Sequence, residues 1–136
     1  MIEHETIEIR TRGRGFHDLT PQAAEFVRGS SGPALLQAFV MHTSASLVVT
    51  ENADPAVRRD LERVFSRISP DGDPLLEHDA EGPDDMPAHL RSALTATSIN
   101  IPVMDGRLLI GTWQGLYLWE HRHAAHRRRV VLSLQT

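Results

Sequence analysis

Val57, Leu61, Val64, Phe65 and Ile68 are spaced i, i+4, i+7, i+8 and i+11, which draws one apolar stripe along a helix. Asp54-Pro55 ahead of them supplies an N-cap and a first helical residue, and Arg58, Arg59, Glu62 and Arg63 take the opposite face. No other stretch is as plainly amphipathic. A helix over about 55–68 of this kind needs a sheet to lie on, and all five apolar side chains are expected against it.

The other apolar residues come in runs of strand length. Ile7 and Ile9 alternate with Glu8 and Arg10 across residues 2–12, the period of a half-buried strand. Residues 34–41, 46–50, 116–119 and 130–134 are further runs. Residues 98–103 and 108–112 flank Met104-Asp105-Gly106-Arg107, a hairpin signal. Thr20-Pro21 starts a short helix that ends near Gly29, with Thr20 as its N-cap. Another helix is expected over about 87–94, capped by Asp84 or Asp85. Six or seven strands with about three helices, joined mostly by short links, predict an α+β fold of antiparallel β-sheets. A single domain spanning 1–136 is expected, because domains typically hold about 100–150 residues and no repeat or boundary is visible; the chain is also shorter than the roughly 200 residues of a (β/α)8 barrel.

Two missing residue types narrow the chemistry. There is no cysteine, which excludes disulfides, thiolate ligands and a thiol nucleophile. There is no lysine either, so Schiff-base chemistry, a pyridoxal phosphate anchor and a P-loop lysine are excluded. A net charge of −4 has the wrong sign for a general nucleic-acid binder. No run approaches the roughly 18 apolar residues of a membrane span, and Met1 to Glu5 lacks a signal-peptide pattern. The expected location is therefore cytoplasmic, with no nucleic-acid or membrane partner.

Eight histidines remain as the obvious reactive groups. His42 ends an apolar run, His78 lies in an acidic loop and His89 stands on the short helix after it. Three such histidines can converge on zinc or another borderline metal, although no compact motif enforces this. Seven carboxylates lie from Asp71 to Asp85, either a solvated charge run or oxygen ligands for a hard cation. Gly111-Thr112-Trp113-Gln114-Gly115 interrupts a strand pattern, either as a bulge with Trp113 in the core or as a ligand contact. Residues 121–129 hold four Arg and three His, read as an exposed turn that can meet the acidic loop.

Taken in order, His42-Thr43-Ser44-Ala45-Ser46-Leu47 with Glu51-Asn52 and Asp54-Pro55 resembles the first motif of the YjbQ-like family. Glu77-His78-Asp79 and Asp84-Asp85-Met86-Pro87-Ala88-His89 resemble its central motif. Gly111 to Gly115, then Glu120-His121-Arg122, and Arg14-Gly15-Phe16 fit as well, so the resemblance covers essentially the whole chain. It implies a homotrimer of α+β subunits and a secondary thiamine-phosphate synthase activity, joining a pyrimidine methyl pyrophosphate to a thiazole phosphate. It also implies a divalent metal, zinc or magnesium, held by His42, His78 and His89, with no organic cofactor. Asp85, Glu120, Arg122 and Glu51 become the catalytic candidates, with Asp54 in the polar lining. Thr43, Ser44, Asn52, Thr112, Trp113, Gln114 and Arg14 become contacts for a small phosphorylated molecule. A metal- or anion-binding protein without that reaction, or a zinc-dependent hydrolase, is the alternative.

Overall fold

The strand-length runs divide between two antiparallel sheets in the computed structural model, which describes residues 1–136. In chain order the elements are β1 (Ile2–Arg10), β2 (Gly15–Asp18), α1 (Thr20–Val27), β3 (Pro33–Val40), β4 (Ala45–Glu51) and α2 (Pro55–Ile68). Then follow α3 (Asp85–Leu94), β5 (Ser98–Met104), β6 (Arg107–Leu108), β7 (Gln114–Glu120) and β8 (Arg127–Gln135). One sheet has the order β1-β8-β3-β5-β6 and the other β2-β7-β4. No helix is long and apolar enough to cross a membrane.

The core lies between the sheets. Alternate residues of the larger sheet (Leu36, Ala38, Val40, Ile101, Val103, Val130, Leu132) meet Leu47, Leu116 and Leu118 of the smaller one. Helix α1 closes the side with Ala23 and Val27. Strand β7 is buried on both faces, with Leu116 and Leu118 inward and Tyr117 and Trp119 toward the helices. Phe16 stacks on Trp119 at 4.5 Å between ring centroids, and Phe65 of α2 meets the same ring edge-on at 4.8 Å.

The β5–β6 hairpin forms where Asp-Gly predicts it. Asp105 and Gly106 have φ of 48° and 73°, the pair of positive values that a two-residue turn matching the strand twist requires. A Cβ on Gly106 would sit 2.4 Å from the Arg28 carbonyl oxygen, so the close approach of the α1–β3 link also demands glycine.

Three local expectations change. Thr20 is the first helical residue of α1, not its cap. Asp18 Oδ1 accepts the Thr20 N–H at 2.9 Å, and the Thr20 hydroxyl accepts from Leu116 N–H at 2.9 Å. The strand expected over 130–134 starts at Arg127, so the arginine run alternates across the sheet with Arg128 buried between two exposed neighbours. Finally, α2 is capped by Asp54 as its sequence predicts, but only part of its apolar stripe is covered. Val57, Leu61 and Phe65 are half-buried, whereas Val64 and Ile68 are 41% and 56% exposed. The helix is anchored along its inner edge by Arg58, which donates to Glu51 O and the Tyr117 hydroxyl, and by Glu62, which accepts from Trp119 Nε1 and Arg91. These anchors leave its outer turn beyond the three-stranded sheet.

This packing predicts that Leu118→Ala, at a fully buried site, loses about 2–5 kcal/mol in urea unfolding. Val64→Ala is expected to change stability by no more than about 0.5 kcal/mol. Equal losses from the two variants would contradict this order of layers.

Candidate functional site

The acidic loop between α2 and α3 is tied down at both ends by the cationic turn after β7. Near its start, Asp71 takes both terminal nitrogens of Arg14, at 3.0 and 3.1 Å, and accepts His123 Nε2 at 2.8 Å. At its end, Arg122 donates from Nε to Asp84 at 3.1 Å, from Nη1 to Asp85 at 2.9 Å and from Nη2 to the Glu81 carbonyl at 2.8 Å. The His123 backbone N–H adds a bond to Asp84 at 2.8 Å. Opposite charge within contact distance is why so acidic a segment is ordered here.

Helix α3 begins two residues before the expected Pro87, and this places Asp85 and His89 one turn apart on one face. His78 reaches the same point from the loop. Its Nε2 is 2.7 Å from Asp85 Oδ2, and His89 Nε2 is 3.4 Å from the same oxygen. Ligand atoms of His78, Asp85 and His89 all lie within 4.8 Å of one another. His89 Nδ1 donates to the Thr43 carbonyl at 2.9 Å, which fixes the proton on Nδ1 and turns the Nε2 lone pair toward the cluster. Metal-binding histidines are oriented in this way by a hydrogen bond from the other ring nitrogen. The donor set therefore fits a divalent cation: two imidazole nitrogens and one carboxylate oxygen, with Arg122 steadying the second oxygen. Asp85 is buried, which by itself raises a carboxyl pKa, but the His78 hydrogen bond and the charges of Arg122, His89 and His78 hold it below the ordinary value.

His42 is not among these ligands. Its Nε2 accepts the Arg129 backbone N–H at 2.8 Å, so in the neutral ring the proton sits on Nδ1 and no lone pair is free for an ion. Burial first, then the Arg128 and Arg129 charges, lowers its pKa and favours that neutral form. It contributes instead to the wall of an open cavity of about 670 Å³, shared with Phe39, Met41, Thr43 and His89. Thr43 thus acts through its carbonyl.

Glu120 is fully buried, bonded to Thr11, Arg128 and the Arg122 N–H. Burial raises its pKa, but the Arg128 and Thr11 hydrogen bonds outweigh that and hold it below the usual carboxylate value. Ser44 accepts from Arg128 through its hydroxyl at 2.9 Å. Both residues brace the end of β7 from beneath the cluster. His121 is buried beside them with Nε2 2.8 Å from the Ser46 hydroxyl. Desolvation, helped by Arg91, Arg14 and Arg128, lowers its pKa to about 2, so it stays neutral.

The remaining predicted residues stand elsewhere. Ala45 pairs with Glu120 and Glu51 with Gln114, so β4 and β7 put the 111–115 segment at the opposite end from the histidines. Six residue steps of about 3.3 Å give roughly 20 Å between them. Glu51 accepts from the N–H groups of Ala53 and Asp54, and Asp54 caps α2. Asn52 Nδ2 donates to the carbonyls of Thr112 and Gln114. Trp113 is 64% exposed, which excludes the reading that packs it in the core of its own chain. Arg14 and Arg122 are both committed to loop carboxylates and are not free anchors for phosphate. Asp71 enters the sequence reading only as a member of the acidic run, Asp84 as a member of that run and of the central motif and as a candidate helix cap, and Arg128 only within the arginine-rich turn; none is singled out there for the site. The i, i+4 spacing of Asp85 and His89 is the readable signal, and starting the helix at Pro87 hides it.

Breaking the pair beneath the site should be costly. Glu120→Gln is expected to destabilise the protein by about 3–5 kcal/mol at pH 7, because it leaves Arg128 buried without its counter-charge. The stability that ionised Glu120 contributes is present above its unfolded value, about 4.3. It is lost as pH falls through the lower folded value, so wild type and variant should converge in acid. Urea unfolding at pH 7 and near pH 3 measures both, and a pH-independent difference would contradict the assignment.

Known proteins share this sequence and fold. The family described as UPF0047 protein YjbQ-like matches residues 5–136. A UPF0047 protein of Synechocystis is 46% identical over 96% of this chain and 89% of its own length. The UPF0047 protein YjbQ of Escherichia coli O157:H7 is 45% identical over 99% of both chains. Among solved structures, the conserved hypothetical protein TT1486 of Thermus thermophilus has a TM-score of 0.85 at 33% identity, covering 94% of this chain and 97% of its own. Matched along nearly its whole length in sequence and in fold, the chain belongs to the YjbQ-like UPF0047 family.

Proposed function

We propose that this protein is a metal-dependent enzyme for a small phosphorylated molecule, with a divalent cation held by His78, Asp85 and His89. The observation that carries the reading is the convergence of the three ligand atoms within 4.8 Å, on side chains whose orientation is set by Thr43 and Arg122. Three protein ligands leave coordination open to water or substrate, the pattern of catalytic rather than structural zinc. A cation there would supply a positive pole for a phosphate or for a leaving pyrophosphate. That supply matters here, because Arg14 and Arg122 have given their donors to the loop.

The chain's own residues do the positioning. Arg122 keeps Asp85 ionised and aimed, Thr43 sets the His89 tautomer, and the cavity beside His89 offers Phe39 and Met41 to an apolar or heteroaromatic part of the ligand. Transfer of a pyrimidine methyl pyrophosphate to a thiazole phosphate, releasing pyrophosphate, suits this combination and is the reaction to assay. A hydrolase would use the same residues.

Titration of metal-free protein with zinc, followed by calorimetry, is expected to give one ion per chain. His78→Ala and His89→Ala should each weaken binding at least about tenfold, whereas His42→Ala should leave it nearly unchanged. Thiamine phosphate formation should be slow in the zinc-loaded wild type and lost in His89→Ala. Binding that ignores both His78→Ala and His89→Ala would remove the basis of the proposal.

A further inference from the structure

We infer that the site is completed by a second copy of this chain, whose 109–114 loop docks at the cavity beside His89 and presents Trp113 as its missing wall. The loop has the form of a pre-set knob. Asn52 Nδ2 holds the Thr112 and Gln114 carbonyls at 3.2 and 3.3 Å, and Asn52 N–H holds the Trp113 carbonyl at 3.0 Å. Gln114 Oε1 accepts the Gly111 N–H at 2.7 Å. These bonds stabilise one loop conformation, and Ile110 seats it on the core, yet its other two apolar side chains cover nothing within one chain. Trp113 is 64% and Leu109 55% exposed. An ordered loop that offers an indole to water has the character of an interaction surface.

The cavity is the complementary feature. Its lip is formed by Phe39 and Met41, both about half exposed, and its polar side by His42, Thr43 and His89. At about 670 Å³ it lies in the range of small-molecule clefts, with room for an indole and a ligand together. Charge matches across the two surfaces. Glu51 and Asp54 flank the loop and form no ion pair within the chain. Arg129 is bonded through its backbone to Met41 and His42, and Arg127 lies two residues along the same strand face. Neither guanidinium is paired within the chain. Residues 42 and 113 lie at opposite ends of the β4–β7 pair, so one copy cannot fill its own cavity with its own loop. Contact between two different surfaces repeats from copy to copy, and it closes as a ring when the rotation between copies divides a full turn.

The inference rests on reading His78, Asp85 and His89 as the working site, but its test needs no metal. The chain has no cysteine, so single thiols report without background. Trp113→Cys and Met41→Cys are made separately, checked for native circular dichroism, unfolded together in urea so that their copies intermix, refolded and oxidised. The expected product is a disulfide-linked species of twice the chain mass in the mixture, and little in either variant alone. Their Cα atoms must approach within about 7 Å for that bond, which one copy cannot achieve. Disulfide formation by either variant with itself to the same extent, or none in the mixture, would overturn the docking. Fluorescence of the unmodified protein gives a second reading if a thiol variant misfolds. Trp119 is already buried, so the red-edge emission and acrylamide quenching of Trp113 should fall on concentrating wild type, in step with its mass by light scattering. A Trp113 that stays quenchable in the assembled protein, or a chain that remains a monomer, excludes the contact. Zinc binding that persists while cross-linking fails rejects the composite site alone; cross-linking without zinc binding rejects the metal reading alone.

Discussion

The side chain of Arg122 is the constraint around which the site is organised. Its nitrogens divide among Asp84, Asp85 and the Glu81 carbonyl, joining the end of a strand to the end of a loop and the beginning of a helix. Planar guanidinium geometry suits this division in a way that an ammonium would not. Without it two adjacent buried aspartates would lose their one permanent positive charge and keep only the His123 N–H, the imidazoles of His78 and His89, and the helix dipole. With it, Asp85 is held ionised at the one position where both His78 and His89 reach it.

Beneath that arrangement lies a second, more deeply buried pairing of Glu120 with Arg128. Strand alternation explains it: Arg127 and Arg129 point to solvent, so Arg128 must point inward, and the last residue of β7 supplies its counter-charge. Thr11 and Ser44 satisfy the remaining polar atoms. A buried pair of this kind adds little net stability but strongly penalises the loss of either member. The upper layer, which carries Asp85 and the two histidines, and this lower layer meet through the Arg122 backbone, which donates to Glu120 while its side chain serves Asp85.

Much of the fold is legible in the chain itself. The Asp54-Pro55 helix start, the Asp105-Gly106 hairpin and the alternation around Ile7 and Ile9 are local signals, and local chemistry decides them. The site is only half legible. His78 and His89 converge because the acidic loop folds back on Arg122, a long-range ion pairing with no spacing rule. Motif position names His42 beside them, but its lone pair belongs to the Arg129 N–H, a partner that strand pairing alone brings near. Val64 and Ile68 read as core because the periodicity of a helix reports which face is apolar, not which element covers it.

Strand β7 carries a further consequence for how the chain finds its fold. With leucines on one face and Tyr117 and Trp119 on the other, both faces are apolar. Sliding it by one residue against β4 would exchange the two sets without exposing either to water, so hydrophobicity alone is a poor guide to its alignment. What distinguishes the correct alignment is polar: the indole N–H must find Glu62, the phenol must find Arg58, and His121 must find Ser46. These few heteroatoms act as indexing marks on an otherwise symmetric ribbon, and they make misaligned intermediates costly where greasy packing would tolerate them.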